Sequence, residues 1–90
     1  MKPVYFTRHA REKMAERLAT ETEVIQAIRE AEWQPAEKGR QRVSKWYPFR
    51  REHRGAYYAG KDVEPIFKEE PGRIVVVTVY VYLNQREEQR

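Results

Sequence analysis

"RIVVVTVYVYL", Arg73 to Leu83, is the stretch whose reading decides the fold. Alternation along an extended chain puts Val75, Val77, Val79, Val81 and Leu83 on one face and Ile74, Val76, Thr78, Tyr80 and Tyr82 on the other. The first face is wholly aliphatic and has to be covered, which predicts a strand lying under helices. The second face passes from aliphatic to hydroxylated residues along its length, as suits a strand whose far end borders water or a groove.

Upstream of this strand, "EEPGR" reads as a tight turn: Pro71 presets the second position and Gly72 can take the positive φ of a type II turn at the third. It predicts a hairpin with the preceding segment "VEPIFKE", a strand weakened by Pro65. "GAYYAG" is another short strand candidate between glycines. In "RQRVSKWY", Val43, Lys45 and Tyr47 alternate with Arg42, Ser44 and Trp46, and Pro48 stops that strand or confines it to an edge.

Helical signals occupy the N-terminal third. Thr7 is placed to cap a helix whose buried line is Ala10, Met14 and Leu18. Thr20 with Glu23 forms a capping-box pattern that opens a second helix, with Val24, Ala27, Ile28 and Ala31 as its core face. Pro35 and Gly39 in "WQPAEKG" then end it. The prediction is an α+β fold, two N-terminal helices packed on one face of an antiparallel sheet of about four strands. Residues 1–84 form the single domain. The polar tail, residues 85–90, is expected to fray or extend into solvent.

Ninety residues with 40% hydrophobic content suit one compact core. No cysteine occurs, so disulfides, thiolate metal sites and a cysteine nucleophile are excluded. The longest apolar run is about half of the roughly 20 residues that a membrane span needs. The opening "MKPVYFTRHA" lacks a signal-peptide pattern, so a soluble cytoplasmic protein is expected.

The net charge of +4 is unevenly placed. Between Lys38 and Lys61, eight basic residues face a single acid, Glu52, interleaved with Trp46, Tyr47, Phe49, Tyr57 and Tyr58. Cations neutralise phosphates and aromatic faces stack on unpaired bases, a mixture that single-stranded RNA or DNA would select. A solvated sheet face is the plainer reading of the same residues. The 36% of charged residues also fits a hot-growing source that favours ion-pair networks.

The segment "FTRHAREKMAER" sets His9, Lys13 and Arg17 four apart. A four-residue step advances a helix by about 400°, so the three stack in a line roughly 100° from the buried one. By spacing alone this is a surface face with partial ion pairing, Arg8 to Glu12 and Glu12 to Arg17 among the pairs. No metal site is supported: His9 and His53 lie far apart, no carboxylate cluster has ligand spacing, and Asp62 is the only aspartate. No cofactor motif is present. The residue types do suffice for metal-free RNA cleavage, which needs a base at the 2′-OH, cations at the phosphorane and an acid at the 5′-oxygen. A basic groove would move a Lys or His pKa downward into that range.

"FTRHAREKMAERLATETEVIQAI" together with "IVVVTVYVY" resembles a family of small bacterial and archaeal proteins grouped as a domain of unknown function. Its members look like [ST]-x-H-A-x-x-[KR]-M-x-x-R and close with a valine-rich strand ending in T-x-Y. The matches are Thr7, His9, Ala10, Lys13, Met14, Arg17, the helix start from Glu21 to Val24, Thr78 and Tyr80. Pro35 to Arg73 is not anchored by the likeness. A departure is Leu18–Ala19, where the family's turn between helices usually holds Gly.

That family is distantly similar to the RelE and ParE toxins, which implies two helices followed by an antiparallel sheet. RelE-like members are metal-independent ribonucleases, whereas ParE-like members are not. The resemblance implies an RNA-binding, toxin-like domain and a metal-independent endoribonuclease as its catalytic form. In that form His9 is base or acid, Lys13 and Arg17 bind phosphate, and Tyr80 supplies a proton or stacks. Arg40, Arg42, Lys45, Trp46, Arg50 and Tyr82 would hold the nucleic acid. The alternative is a non-catalytic module that docks an acidic partner, such as an antitoxin tail, or a second copy of itself.

Overall fold

The computed structural model describes residues 1–88. A short strand β1 (Val4–Phe6) leads into helices α1 (Arg8–Glu16) and α2 (Glu21–Glu30). Strands β2 (Gln34–Pro35), β3 (Gln41–Arg42), β4 (Lys45–His53), β5 (Ala56–Glu70) and β6 (Arg73–Asn84) follow. The α+β class and the two N-terminal helices agree with expectation. The sheet does not: it has six strands and is mixed, because β1 pairs in parallel with β6. The added strands are two or three residues long, too short to carry a periodic signal.

Strand β5 runs fifteen residues and fuses "GAYYAG" with "VEPIFKE". Pro65 is tolerated in it because the neighbouring chain breaks opposite: β3 and β4 follow one another along that edge of β5, and between them Val43 N donates to Pro65 O at 3.4 Å. The missing proline N–H therefore costs no regular ladder bond. Pro48 does lie on an edge, since β4 pairs only with β5. The β4–β5 hairpin turns through Arg54 and Gly55, both at positive φ, and a bulge between Pro48 and Arg51 puts Arg50 at φ 49°. The β5–β6 hairpin falls at Pro71–Gly72 as predicted, but Gly72 does not take the positive φ of a type II turn.

The largest correction concerns the two faces of β6. Phe67 pairs with Val76 and Ile66 with Thr78, so Val77 is an extra residue and side-chain parity inverts there. Ile74 and Val76 face the core before the bulge, and Val79 and Val81 after it. The expected core positions Val75 and Val77 are displaced by this single insertion. The same bulge accounts for the change from Ile74 and Val76 to Thr78, Tyr80 and Tyr82 in what looked like one stripe.

Both helices cover one face of the sheet, α1 on β6 and α2 on β5. Ala10 and Met14 from α1, and Val24, Ala27 and Ile28 from α2, close over Val63, Phe67, Ile74, Val76 and Val79. Trp33 packs edge-on to Phe67 with ring centroids 4.9 Å apart and donates Nε1 to Ile28 O at 2.8 Å, which satisfies a carbonyl near the end of α2. Thr7 Oγ1 accepts from Ala10 N, and Thr20 and Glu23 form the full capping box. The helix corner uses Leu18 at φ 63°, with Ala19 N donating to Met14 O at 3.1 Å. This is the geometry that glycine usually supplies, adopted here by leucine.

Lys61, counted in the basic segment, is buried on the helix side instead. Its Nζ donates to Leu18 O at 2.6 Å and to Glu23 Oε1 at 2.9 Å, while Tyr47 OH donates to Glu23 O at 2.7 Å. This polar knot ties β4 and β5 to the helix corner. The expected loose tail is engaged where it is described: Arg86 N donates to Asn84 Oδ1, and Glu87 pairs with Arg50 at 3.1 Å. Gln89 and Arg90 lie outside the described residues. No helix among the described residues is long and apolar enough to cross a membrane.

Candidate nucleic-acid interface

Cross-strand pairing assigns the side chains of the uncovered sheet face. Trp46, Asp62 and Tyr82 align across β4, β5 and β6, Glu64 pairs with Tyr80, and Arg42, Ile66 and Thr78 form the next row. Over this last row hangs the β2–β3 hairpin. Its tip is a short 3₁₀ turn, Glu37–Gly39, with Lys38 at φ 59° and Gly39 at φ 70°; Arg40 N donates to Glu37 O and Ala36 N to Arg40 O. The backbone reversal is tight enough to hold Lys38 and Arg40 beside the sheet.

Hairpin and sheet enclose an open groove of about 640 Å³. Lys38, Arg40 and Arg42 line one side, and Ile66, Thr78 and Tyr80 the other. Among the described residues none of these three cations forms an ion pair, whereas Lys45 pairs with Glu30 and Arg50 with Glu87. Glu37 also lines the groove, so the cations exceed acids by two at its wall. Tyr80 and Tyr82 are exposed and stacked, with centroids 6.5 Å apart and an interplanar angle of 17°.

Arg17 reaches this face around the outer edge of β6. Its Nη1 donates to Val79 O at 2.9 Å and its guanidinium carbon lies 4.9 Å from the Tyr80 ring centroid. Thr7 finishes the same edge, its N donating to Val76 O and its Oγ1 to Val77 O at the bulge. Thr7, Ala10, Met14 and Arg17 of the opening motif thus have packing or edge-capping roles. Lys13 pairs with Glu16 at 3.1 Å. His9 is exposed, and its imidazole makes no hydrogen bond or ion pair with the described residues.

The ten site residues proposed from sequence therefore divide. Arg40, Arg42 and Tyr80 share the groove, with Arg17 and Tyr82 against Tyr80. His9 and Lys13 are not among its lining residues. Lys45 and Trp46 line a separate cavity with Asp62 and Glu88, and Arg50 is held by the tail. Lys38 was not singled out; a lysine before glycine, three residues after Pro35 and followed by Arg40 and Arg42, was the available signal. Phe49 carries Arg51 at 4.2 Å on its ring.

Two pKa shifts bear on this region. Burial, and then the nearby carboxylates of Glu23 and Glu30, push the Tyr47 phenol up to about 12. The hydrogen bond that Arg50 donates to the Glu87 carboxylate raises the Arg50 guanidinium further above its already high value. Among the described residues no group of three or more His, Cys, Asp or Glu could hold a metal ion. No protein-family model matches the chain, and neither a curated protein nor a solved structure matches it.

Proposed function

We propose that the hairpin groove binds the backbone of single-stranded RNA, with Lys38, Arg40 and Arg42 on phosphates and a base stacked on Tyr80. The supporting observation is the convergence of three cations, without ion-pair partners among the described residues, on an exposed tyrosine pair, on the sheet face opposite the helices. A duplex would present its phosphates to the groove but not its paired base faces, so stacking favours the single strand. The toxin-like resemblance points to the same ligand.

Metal-independent cleavage is the catalytic extension of this reading. Arg40 and Arg42 would stabilise the phosphorane and Tyr80 would exchange the proton; His9, outside the groove lining, would have to be approached by the strand itself. Incubation of labelled single-stranded RNA with the protein in EDTA, beside Arg40→Ala/Arg42→Ala, Tyr80→Phe and His9→Ala, separates the cases. Cleavage lost in Tyr80→Phe with binding retained makes the protein a ribonuclease. Intact RNA retained by wild type and released by the double variant makes it a binding module. Neither cleavage nor binding at about 50 mM salt refutes both and turns attention to an acidic protein partner.

A further inference from the structure

Residues 85–88 leave β6 at the end of the sheet opposite the groove and reach β4. Asn84 closes β6 beside Gly60, its side-chain amide donates to Asp62 at 3.4 Å, and the chain turns toward β4. Glu87 there accepts from Arg50 Nη2 at 3.1 Å, and Glu88 lines the cavity beside Trp46 and Asp62. Two carboxylates thus sit at the β4 end of a row of aromatic residues, Tyr80, Tyr82 and Trp46. Trp46 and Tyr82 are two strands apart, about 9.6 Å at the usual strand spacing.

Trp46 itself is held unusually. Its indole lies on Gly60 so closely that a Cβ there would fall 2.2 Å from Nε1 and Cε2. In this position the Nε1 donor is buried and has no acceptor among the described residues. An indole that moved outward would regain a hydrogen bond to water or to a ligand, so the closed position has a built-in cost that its cover must offset.

We propose that Arg50 and Trp46 form a second RNA subsite, one phosphate and one base, which the chain's own tail occupies, Glu87 on Arg50 in place of the phosphate and Glu88 beside Trp46. The inference rests on the RNA reading above and adds a continuous path, from the groove past Tyr82 to Trp46. A strand that fills the groove competes with the tail for Arg50. The tail then sets how far bound RNA extends, and short oligonucleotides that reach only the groove are indifferent to it.

The test uses the full chain with Glu87→Gln/Glu88→Gln, and a control, Glu12→Gln/Glu69→Gln, that removes equal charge from other surfaces. At about 50 mM salt the tail variant should bind a single-stranded RNA of about ten nucleotides roughly fivefold more tightly, and the control less than about twofold. Equal gains in both variants would overturn the subsite while leaving RNA binding by the groove intact; no binding by any form would refute the RNA reading. Acrylamide quenching judges the tail without RNA. In a Trp33→Phe background, or by difference against Trp46→Phe, Trp46 should be quenched about twofold more readily in the tail variant. Unchanged quenching would overturn the cover.

Discussion

Replacing Gly60 by alanine places a Cβ 2.2 Å from Cε2 and Nε1 of Trp46 and 2.4 Å from Cζ2. Carbon atoms meet comfortably at about 3.5 Å, so the indole would have to withdraw by roughly 1.3 Å. The atoms in the way belong to a rigid ring, not to the end of a flexible chain. Backbone geometry is no obstacle, because Gly60 does not occupy the positive-φ region. Alanine in a strand is by itself favoured over glycine by about 0.5–1 kcal/mol, whereas overpacking of this kind costs about 1–3 kcal/mol. The net loss expected for Gly60→Ala is about 1–2 kcal/mol. In a Trp46→Ala background the clash is absent and the same substitution should stabilise by about 0.5–1 kcal/mol. The coupling in the double-mutant cycle is then about 1.5–3 kcal/mol. Urea unfolding followed by far-UV circular dichroism measures all four proteins. A cost for Gly60→Ala below about 0.5 kcal/mol, or an equal cost in both backgrounds, would refute the stacked position of Trp46.

Lys61→Met removes a buried cation from Leu18 O and Glu23, and chemical denaturation should show a loss of about 2–4 kcal/mol; Lys61→Met/Glu23→Gln should recover part of it. The raised Tyr47 pKa means that the fold favours the neutral phenol. Its stabilisation is full below about pH 10 and is lost as pH rises toward about 12. Tyr47→Phe should flatten that part of a stability–pH profile and lose about 1 kcal/mol at neutral pH with the bond to Glu23 O. Arg17→Ala uncaps Val79 O and uncovers one side of Tyr80, so thermal unfolding should report a loss of about 1–2 kcal/mol even without RNA. An unchanged transition would contradict the edge-capping role.

The elements easiest to read from sequence were those set by local chemistry. Thr7 and Thr20 announce helix starts because their hydroxyls satisfy amides only a turn away. The hairpin at Pro71–Gly72 is local in the same sense. What was not legible depends on partners distant in the chain. The Val77 bulge is defined by its register against Ile66 and Phe67, and nothing in a run of four valines and a threonine marks which one is extra. Pro65 argued against a long strand, yet its position opposite a break in the neighbouring chain makes β5 continuous.

The candidate site divides along the same line. The density of basic and aromatic residues from Lys38 to Lys61 marked the region, but alternation sends Lys61 and Tyr47 into the helix interface and leaves Arg42 and Trp46 on the open face. Charge counting cannot distinguish these. Arg17 was singled out for its place in a motif, and its contacts to Val79 O and Tyr80 join a stabilising role to the proposed site. His9 and Lys13 are motif residues for which packing supplies no reason.

The salt dependence of single-stranded RNA binding is the most direct measurement on the proposed groove. Lys38, Arg40 and Arg42 engaging three phosphates predict a slope of log K against log salt of about −2 in fluorescence anisotropy, since each contact on a single strand contributes about −0.7. Arg40→Ala/Arg42→Ala should weaken binding and bring the slope to about −0.7. A double variant that binds with the affinity and slope of the wild type would contradict the account, as would a wild-type protein that fails to bind at about 50 mM salt.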